Sequence, residues 1–185
     1  FGIGVIGAVL LLAVLMTRQS RLARLSSFLD PFAASNYHGA GWQPAHSIMA
    51  LASGGIFGVG LGGRRQKWGN LGPEAHTDFI FAVFSEEFGL LGNLLLLGLY
   101  GLIIGRSLMI ASQAKNIFTR LLAANIGLTF FTYIFINIAM VSGIMPVVGV
   151  PLPLISFGGT SMTIILISFG ILMSVHSHKE LVGSS

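Results

Sequence analysis

The chain has 185 residues, of which 54% are hydrophobic and only 9% are charged, and its mean hydropathy is +0.85. Soluble domains carry about 25% charged residues. The chain therefore has too few charges to cover a water-facing surface, and we expect an integral membrane protein. The net charge of +4 would favour nucleic acid in a soluble protein, but in a membrane protein it indicates basic cytoplasmic loops. We expect no nucleic acid partner, and the absence of cysteine excludes disulfides.

Five apolar runs predict membrane spans, each of which needs about 20 residues. The first, residues 1–17, has no charged segment before it, so we expect a spanning helix of a truncated, longer protein rather than a signal peptide. The other four occupy residues 44–63, 90–111, 121–142 and 160–176. Together they predict an all-α polytopic transmembrane helix bundle, with residues 1–185 as a single membrane domain.

Basic residues indicate the orientation of the bundle. Seven of the ten follow the first span, connect the third and fourth spans or follow the fifth: Arg18, Arg21, Arg24, Arg106, Lys115, Arg120 and Lys179. The positive-inside rule makes that side cytoplasmic. Five spans then predict that residues 64–89 form an extracytoplasmic loop.

This loop contains most of the candidate chemistry. It holds four of the six acidic residues of the chain, Glu74, Asp78, Glu86 and Glu87. It also holds Arg64, Arg65 and Lys67, which the charge rule does not explain. These three residues are either harmless on an outer loop or bind an anionic group such as phosphate at the membrane face.

Two shorter patterns in this region have ordinary alternatives. "GVGLGG", residues 58–63, matches a dinucleotide fingerprint, but it ends a membrane helix and so carries no such meaning. In "EAHTDF", Thr77 or Asp78 is a good helix N-cap. Glu74, His76 and Asp78 could instead bind a divalent cation, although their spacing is a weak signal. No metal site is therefore assigned, and the cofactor is left open.

The segment "SGIMPVVGVPLPLISFGGTS", residues 142–161, cannot form a regular helix because it contains three prolines. Its apolar flanks place it at membrane depth, where non-helical backbone must be buried in protein or line a cavity. We expect a Pro-broken re-entrant segment over residues 143–161 rather than a simple turn. Small polar groups in it become candidate substrate contacts: Ser156, Gly158, Gly159 and Ser161.

"PEAHTDFIFAVFSEEFG" and the Pro-broken segment together resemble the SEDS family of cell-wall polymerases, which includes RodA and FtsW. The resemblance extends from about residue 21 to about residue 180. Over this range the chain is similar to the C-terminal half of a family member. "MVSGIMPVVGVPLP" favours the RodA branch, which acts in elongation, whereas "GVGLGGRRQKWGNLGPEAHTDF" is closer to FtsW, which acts in division.

The resemblance implies an activity, partners and a catalytic residue. It implies polymerisation of lipid II into peptidoglycan strands at the outer face of the bacterial cytoplasmic membrane. This reaction belongs to the glycosyltransferases, enzyme class EC 2.4. It also implies a class B penicillin-binding protein as partner. The essential acidic residue of the family falls on Asp78.

The residues are compatible with this chemistry. A carboxylate can take the proton of an acceptor sugar hydroxyl, and a pyrophosphate leaving group needs charge neutralisation rather than a proton. Asp78 with Arg64, Arg65 and Lys67 suits such a transferase. We further predict that His76 and Glu86 contact the substrate and that Glu87 is solvated.

Two other functions stay open. The Pro-broken segment is typical of transporters, so a flippase for a lipid-linked precursor is possible. Such carriers usually have a carboxylate inside a span, whereas Asn93, Asn125 and Asn137 are the main polar residues within spans two to five. A scaffold that positions a partner enzyme is the other alternative.

Overall fold

The computed structural model describes Arg24, residues 26–60, Gly62 and residues 76–183, with side chains as far as residue 177. Within these ranges the protein is all-helical, as predicted. The first predicted span, residues 1–17, lies outside them. The helices are α1 (Ala34–Tyr37), α2 (Trp42–Gly54), α3 (Ile80–Gln113), α4 (Ile117–Val141) and α5 (Gly159–Gly183).

Three of these helices, α3, α4 and α5 as far as Ser177, are long and apolar enough to cross a membrane. They correspond to the predicted spans at 90–111, 121–142 and 160–176. Large apolar side chains such as Leu94, Leu95, Ile164 and Ile167 are exposed on their outer faces. Exposed apolar faces of this extent are rare on soluble monomers but match a lipid environment.

Helix α3 begins ten residues before the predicted span because residues 80–88 are also helical. Gly89, with φ 64° and ψ −160°, introduces a sharp kink between this short helix and the long one. Ser85 Oγ donates a 3.0 Å hydrogen bond to Asn93 Oδ1 across the kink. A straight helix would separate residues eight positions apart by about 12 Å, so the short helix folds back against the long one.

The predicted span at residues 44–63 is wrong in its extent. Helix α2 has 13 residues, about 20 Å, and ends at Gly54, because the next residue, Gly55, has a φ of 54°. Ser47 Oγ donates to the carbonyl oxygen of Val141 at the end of α4. Gly54 packs on the backbone of Ser85 near the start of α3. Both halves of α2 therefore contact the same end of the α3–α4 pair.

The short α2 also changes where Arg24 lies. Arg24 and Asp30 line a cleft of about 330 Å³ together with Met140, Gly143 and Pro146. The cleft lies where α4 ends, whereas Arg106, Lys115 and Arg120 lie toward the opposite end, near the α3–α4 connection. The prediction that Arg24 shares a side with those three residues is therefore wrong, because α2 is too short to carry the chain away from this end.

The Pro-broken segment is confirmed as non-helical over residues 143–158, which contain only turns, bends and irregular backbone. Its predicted end at residue 161 is wrong, because Gly159 begins α5. The buried hydroxyl of Tyr100 donates a 2.6 Å hydrogen bond to the carbonyl oxygen of Pro153. Tyr100 lies ten residues beyond Leu90, about 15 Å along the axis of α3. The segment therefore dips back into the bundle, as expected of a re-entrant structure.

Candidate active site

Asp78 lies in a turn, residues 76–79, that leads into α3. The N-cap of α3 is Phe79, so neither Thr77 nor Asp78 occupies the N-cap position that the sequence predicts. Phe79 is 1% exposed and belongs to the apolar core, whereas the side chain of Asp78 is only half-buried. The buried phenylalanine anchors the turn and leaves the neighbouring carboxylate near the surface.

Three consecutive carbonyl oxygens of this turn accept hydrogen bonds from distant parts of the chain. The backbone N–H of Phe157 donates to the carbonyl oxygen of His76 at 2.9 Å. Ser156 Oγ donates to Thr77 at 2.6 Å, and Asn137 Nδ2 donates to Asp78 at 2.9 Å. The re-entrant segment and α4 therefore fix the backbone that carries the candidate catalytic carboxylate.

The carboxylate itself lies against the re-entrant segment. A Cβ atom placed on Gly149 would lie 3.3 Å from Asp78 Oδ2. The φ of Gly149 is 78°, a conformation that residues with a side chain rarely adopt. Glycine thus keeps one flank of the Asp78 carboxylate clear, and a half-buried carboxylate on a fixed backbone can serve as a general base.

The predicted substrate-binding residues separate by burial into residues that a substrate can reach and a buried one, Ser156. His76 and Gly159 are exposed, and Gly158 and Ser161 are half-buried. Ser156 is 6% exposed, and its Oγ both donates to Thr77 and accepts from the N–H of Leu152. These bonds give Ser156 a structural role. Arg64, Arg65 and Lys67 lie outside the described residues.

A cleft of about 170 Å³ adjoins this region, between α4, α5 and the re-entrant segment. Its lining is mostly apolar and includes Tyr133, Leu152 and Leu154, with Ser156 and Ser161 as polar members. Leu154 has a φ of 68°, which is unusual for a residue other than glycine. The prediction that this segment forms a cavity wall agrees with this geometry.

Glu86 and Glu87 are both buried, at 1% and 5% exposed. The N–H of Gly62 donates to Glu87 Oε1 at 3.2 Å. The prediction that Glu87 is solvated is therefore wrong, because its carboxylate binds the backbone that follows α2. The burial of Glu86 disfavours direct substrate contact and favours a supporting position beneath the surface.

The hypothesis of a divalent cation stays a prediction. Among the described residues, no group of three His, Asp or Glu side chains is placed to hold a metal ion. Glu74, one of the three candidate ligands, lies outside the described residues. His76 and Asp78 alone do not define a site.

Asn137 and Gly149 are the two site residues that sequence reasoning missed. The sequence indicates only that Asn137 is a polar residue inside a predicted span, and it does not indicate which groups Asn137 binds. Gly149 is one of 25 glycines, so its position beside Asp78 could not be read from composition.

Comparison with known proteins agrees with the motif resemblance. The family model FTSW_RODA_SPOVE, described as "Cell cycle protein", matches residues 1–181. The peptidoglycan glycosyltransferase MrdB of Escherichia coli K12 is 48% identical over 162 residues, which are 88% of this chain and 43% of MrdB. The probable peptidoglycan glycosyltransferase FtsW of Coxiella burnetii is 43% identical over 179 residues, 95% of this chain and 47% of that protein.

Solved structures show the same likeness. One is described as the structural coordination of polymerization and crosslinking by a peptidoglycan synthase complex. It superimposes with a TM-score of 0.68 at 27% identity, and the match covers 96% of this chain and 48% of the chain in that structure. A point mutant of the rod-shape-determining protein RodA from Thermus thermophilus gives a TM-score of 0.57 at 34% identity, over 71% of this chain and 40% of that one.

The chain spans about half the length of the curated relatives it matches. The match to the family model nonetheless covers almost all of its 185 residues. Its three long apolar helices agree with the multi-pass architecture. This chain is a multi-pass inner-membrane protein and belongs to the FtsW/RodA/SpoVE family, the SEDS family that its motifs resemble.

Proposed function

We propose that this chain carries the catalytic carboxylate of a peptidoglycan glycosyltransferase that polymerises lipid II. The observation that carries the proposal is that the re-entrant segment and α4 fix the backbone of the His76–Asp78 turn by hydrogen bonds. The half-buried carboxylate of Asp78 then lies beside Gly149, which has no side chain to crowd it. The names of the relatives MrdB and FtsW support the same reaction.

In the proposed reaction, Asp78 acts as general base. It accepts the proton of the acceptor sugar hydroxyl as the hydroxyl oxygen forms a bond to the anomeric carbon of the donor. The bond from that carbon to the pyrophosphate oxygen breaks, and the lipid pyrophosphate leaves with the electron pair. Arg64, Arg65 and Lys67 are proposed to neutralise its charge, as preorganised cations do in other transfers.

The charge distribution supports an extracytoplasmic site. Arg106, Lys115 and Arg120 lie toward the α3–α4 connection, which the positive-inside rule makes cytoplasmic. Asp78 contacts Asn137, one turn before the opposite end of α4. Arg24 lies near the Asp78 end and is the exception to this assignment.

A crosslinking enzyme is the proposed partner. The description of the solved synthase complex couples polymerisation to crosslinking. The family resemblance of the motifs implies that a class B penicillin-binding protein catalyses the crosslinking reaction. We propose that the full-length protein acts beside such an enzyme.

The proposal is tested with the full-length protein reconstituted in liposomes containing lipid II. We expect Asp78→Asn to abolish polymer formation while lipid II binding persists. Asp30→Asn is the matched control, because Asp30 is an exposed carboxylate whose Oδ1 only accepts from the N–H groups of Phe32 and Ala33. Normal polymer from Asp78→Asn would refute the proposal, and lipid II translocation without polymer from the wild-type protein would favour a flippase.

The cellular role is proposed to be elongation. The identity to MrdB is 48%, compared with 43% to 45% for the FtsW proteins of Coxiella burnetii, Halothiobacillus neapolitanus and Bacillus subtilis. Expression of the full-length protein in a strain depleted of its elongation polymerase is expected to restore rod shape. Rescue of a division-defective strain instead would assign the septal role.

A further inference from the structure

We propose that Asn137 is a positioning residue for the transfer reaction, joining the backbone of Asp78 to the loop that borders its carboxylate. The inference rests on the proposed function, since it assigns a role relative to the Asp78 carboxylate. Asn137 lies in α4, one turn before the helix ends, and is 0% exposed. It is therefore inside the bundle and does not touch a substrate.

The side-chain amide of Asn137 bridges two segments. Nδ2 donates to the carbonyl oxygen of Asp78 at 2.9 Å and to the carbonyl oxygen of Val150 at 2.6 Å. Val150 follows Gly149, which borders Asp78 Oδ2. One amide nitrogen thus fixes both the residue that carries the carboxylate and the backbone against which the carboxylate lies.

The chemistry of the two partners determines which residue type can do this. Both partners are carbonyl oxygens, so the bridging atom must carry two hydrogens, and the amide nitrogen of asparagine does. The opposite orientation of the amide would direct its oxygen at two other oxygens. An aspartate of the same shape has no donor when ionised, and a leucine of the same branching has none at all.

The position is also energetically costly, which argues against simple packing. Among the described residues, Asn137 Oδ1 accepts no hydrogen bond and is fully buried. A buried polar atom without a partner is destabilising, because it loses its hydrogen bonds to water and gains none in return. An apolar side chain would avoid that cost if the site only had to pack, so the bridge itself is the feature that the amide provides.

Two variants of the full-length protein remove the bridge without changing the substrate-facing surface. Asn137→Leu keeps the number and branching of the side-chain heavy atoms and removes both donors. Asn137→Ser is smaller, so it fits without a clash, and its single, shorter hydroxyl cannot reach both carbonyls. A misplaced catalytic group typically costs up to about 10²-fold in rate, so we expect kcat for lipid II polymerisation to fall about 10- to 100-fold, with KM within about 2-fold.

Two controls separate positioning from general destabilisation. Asn125→Leu makes the same change at an exposed position of the same helix. Ser47→Ala removes another buried hydrogen bond to the end of α4, the bond to Val141, without touching the Asp78 turn. Both controls are expected to keep kcat within about 2-fold of the wild-type value, as measured beside the thermal unfolding midpoint of each variant.

The outcomes distinguish this inference from the proposed function. An inactive Asp78→Asn with normal kcat in both Asn137 variants would overturn the positioning role alone. An equal loss of kcat in Ser47→Ala would also overturn it, because general loosening would then explain the effect. An active Asp78→Asn would instead refute the general base itself.

Discussion

Ser156 Oγ donates a 2.6 Å hydrogen bond to the carbonyl oxygen of Thr77, a residue 79 positions earlier in the chain. The same oxygen accepts a 2.6 Å hydrogen bond from the N–H of Leu152. One buried hydroxyl therefore closes the turn within the re-entrant segment and attaches that segment to the turn that carries Asp78. Two motifs far apart in the sequence form one structural unit through this contact.

Ser156→Ala is expected to destabilise the full-length protein by about 1–3 kcal/mol, because it leaves the buried N–H of Leu152 without its acceptor. A lower thermal unfolding midpoint in detergent and a lower rate of polymer formation would show this. Ser112→Ala is the control, since Ser112 is exposed on α3 and only donates to its own helix. Equal behaviour of the two variants would contradict the role of Ser156.

Tyr100→Phe is expected to loosen the re-entrant segment while leaving α3 intact. The variant loses only the hydroxyl that donates to Pro153, a bond worth about 1 kcal/mol. Hydrogen exchange of amides in residues 150–157 should become faster. Tyr133→Phe, at an exposed position of α4, should leave exchange unchanged. Unchanged exchange in both variants would show that the hydroxyl does not hold the segment.

Gly149→Ala is expected to lower activity more than stability. The new Cβ would lie 3.3 Å from Asp78 Oδ2, and the positive φ of 78° disfavours alanine. Gly60→Ala controls for the backbone effect, because Gly60 has a φ of 88° and a Cβ there would meet no atom of the described residues within 4 Å. We expect polymerisation to fall in Gly149→Ala only. If both variants lose activity in proportion to their unfolding midpoints, the space beside Asp78 has no special role.

Gly58→Ala is expected to impair folding rather than chemistry. Gly58 has a φ of 79°, and a Cβ there would overlap the carbonyl group of Glu87 near the kink of α3. Overpacking of this kind costs about 1–3 kcal/mol or more. Gly98→Ala, at an open position of α3, should be neutral or stabilising. A Gly58→Ala protein with a wild-type unfolding midpoint would contradict this close packing.

Composition and the length of the apolar runs were sufficient to predict the long helices. The runs at 90–111, 121–142 and 160–176 could be assigned to helices with few alternatives. Inside a membrane, about 20 successive apolar residues satisfy their backbone hydrogen bonds within the segment only as a helix. Three prolines likewise predicted the interruption after α4. Residues 44–63 were misread because apolar content alone does not reveal that Gly54 and Gly55 end the helix early.

The site was predicted in part. Asp78 was identified through a motif resemblance, and the structure adds that Asn137 binds its carbonyl oxygen and Ser156 binds that of Thr77 beside it. Neither contact could be read from sequence, since each joins residues more than 50 positions apart. The burial of Glu87 could not be read from sequence for a similar reason, because an N–H group that binds its carboxylate belongs to Gly62, 25 positions earlier in the chain.

The most direct measurement is the single-turnover rate of glycan bond formation by the full-length protein, with the enzyme in excess and the affinity for lipid II determined in parallel. General-base catalysis contributes about 10²–10⁴-fold. Asp78→Asn is therefore expected to slow bond formation by that factor while the Kd for lipid II changes less than about 3-fold. A rate equal to that of the wild-type protein would show that Asp78 takes no proton in the reaction.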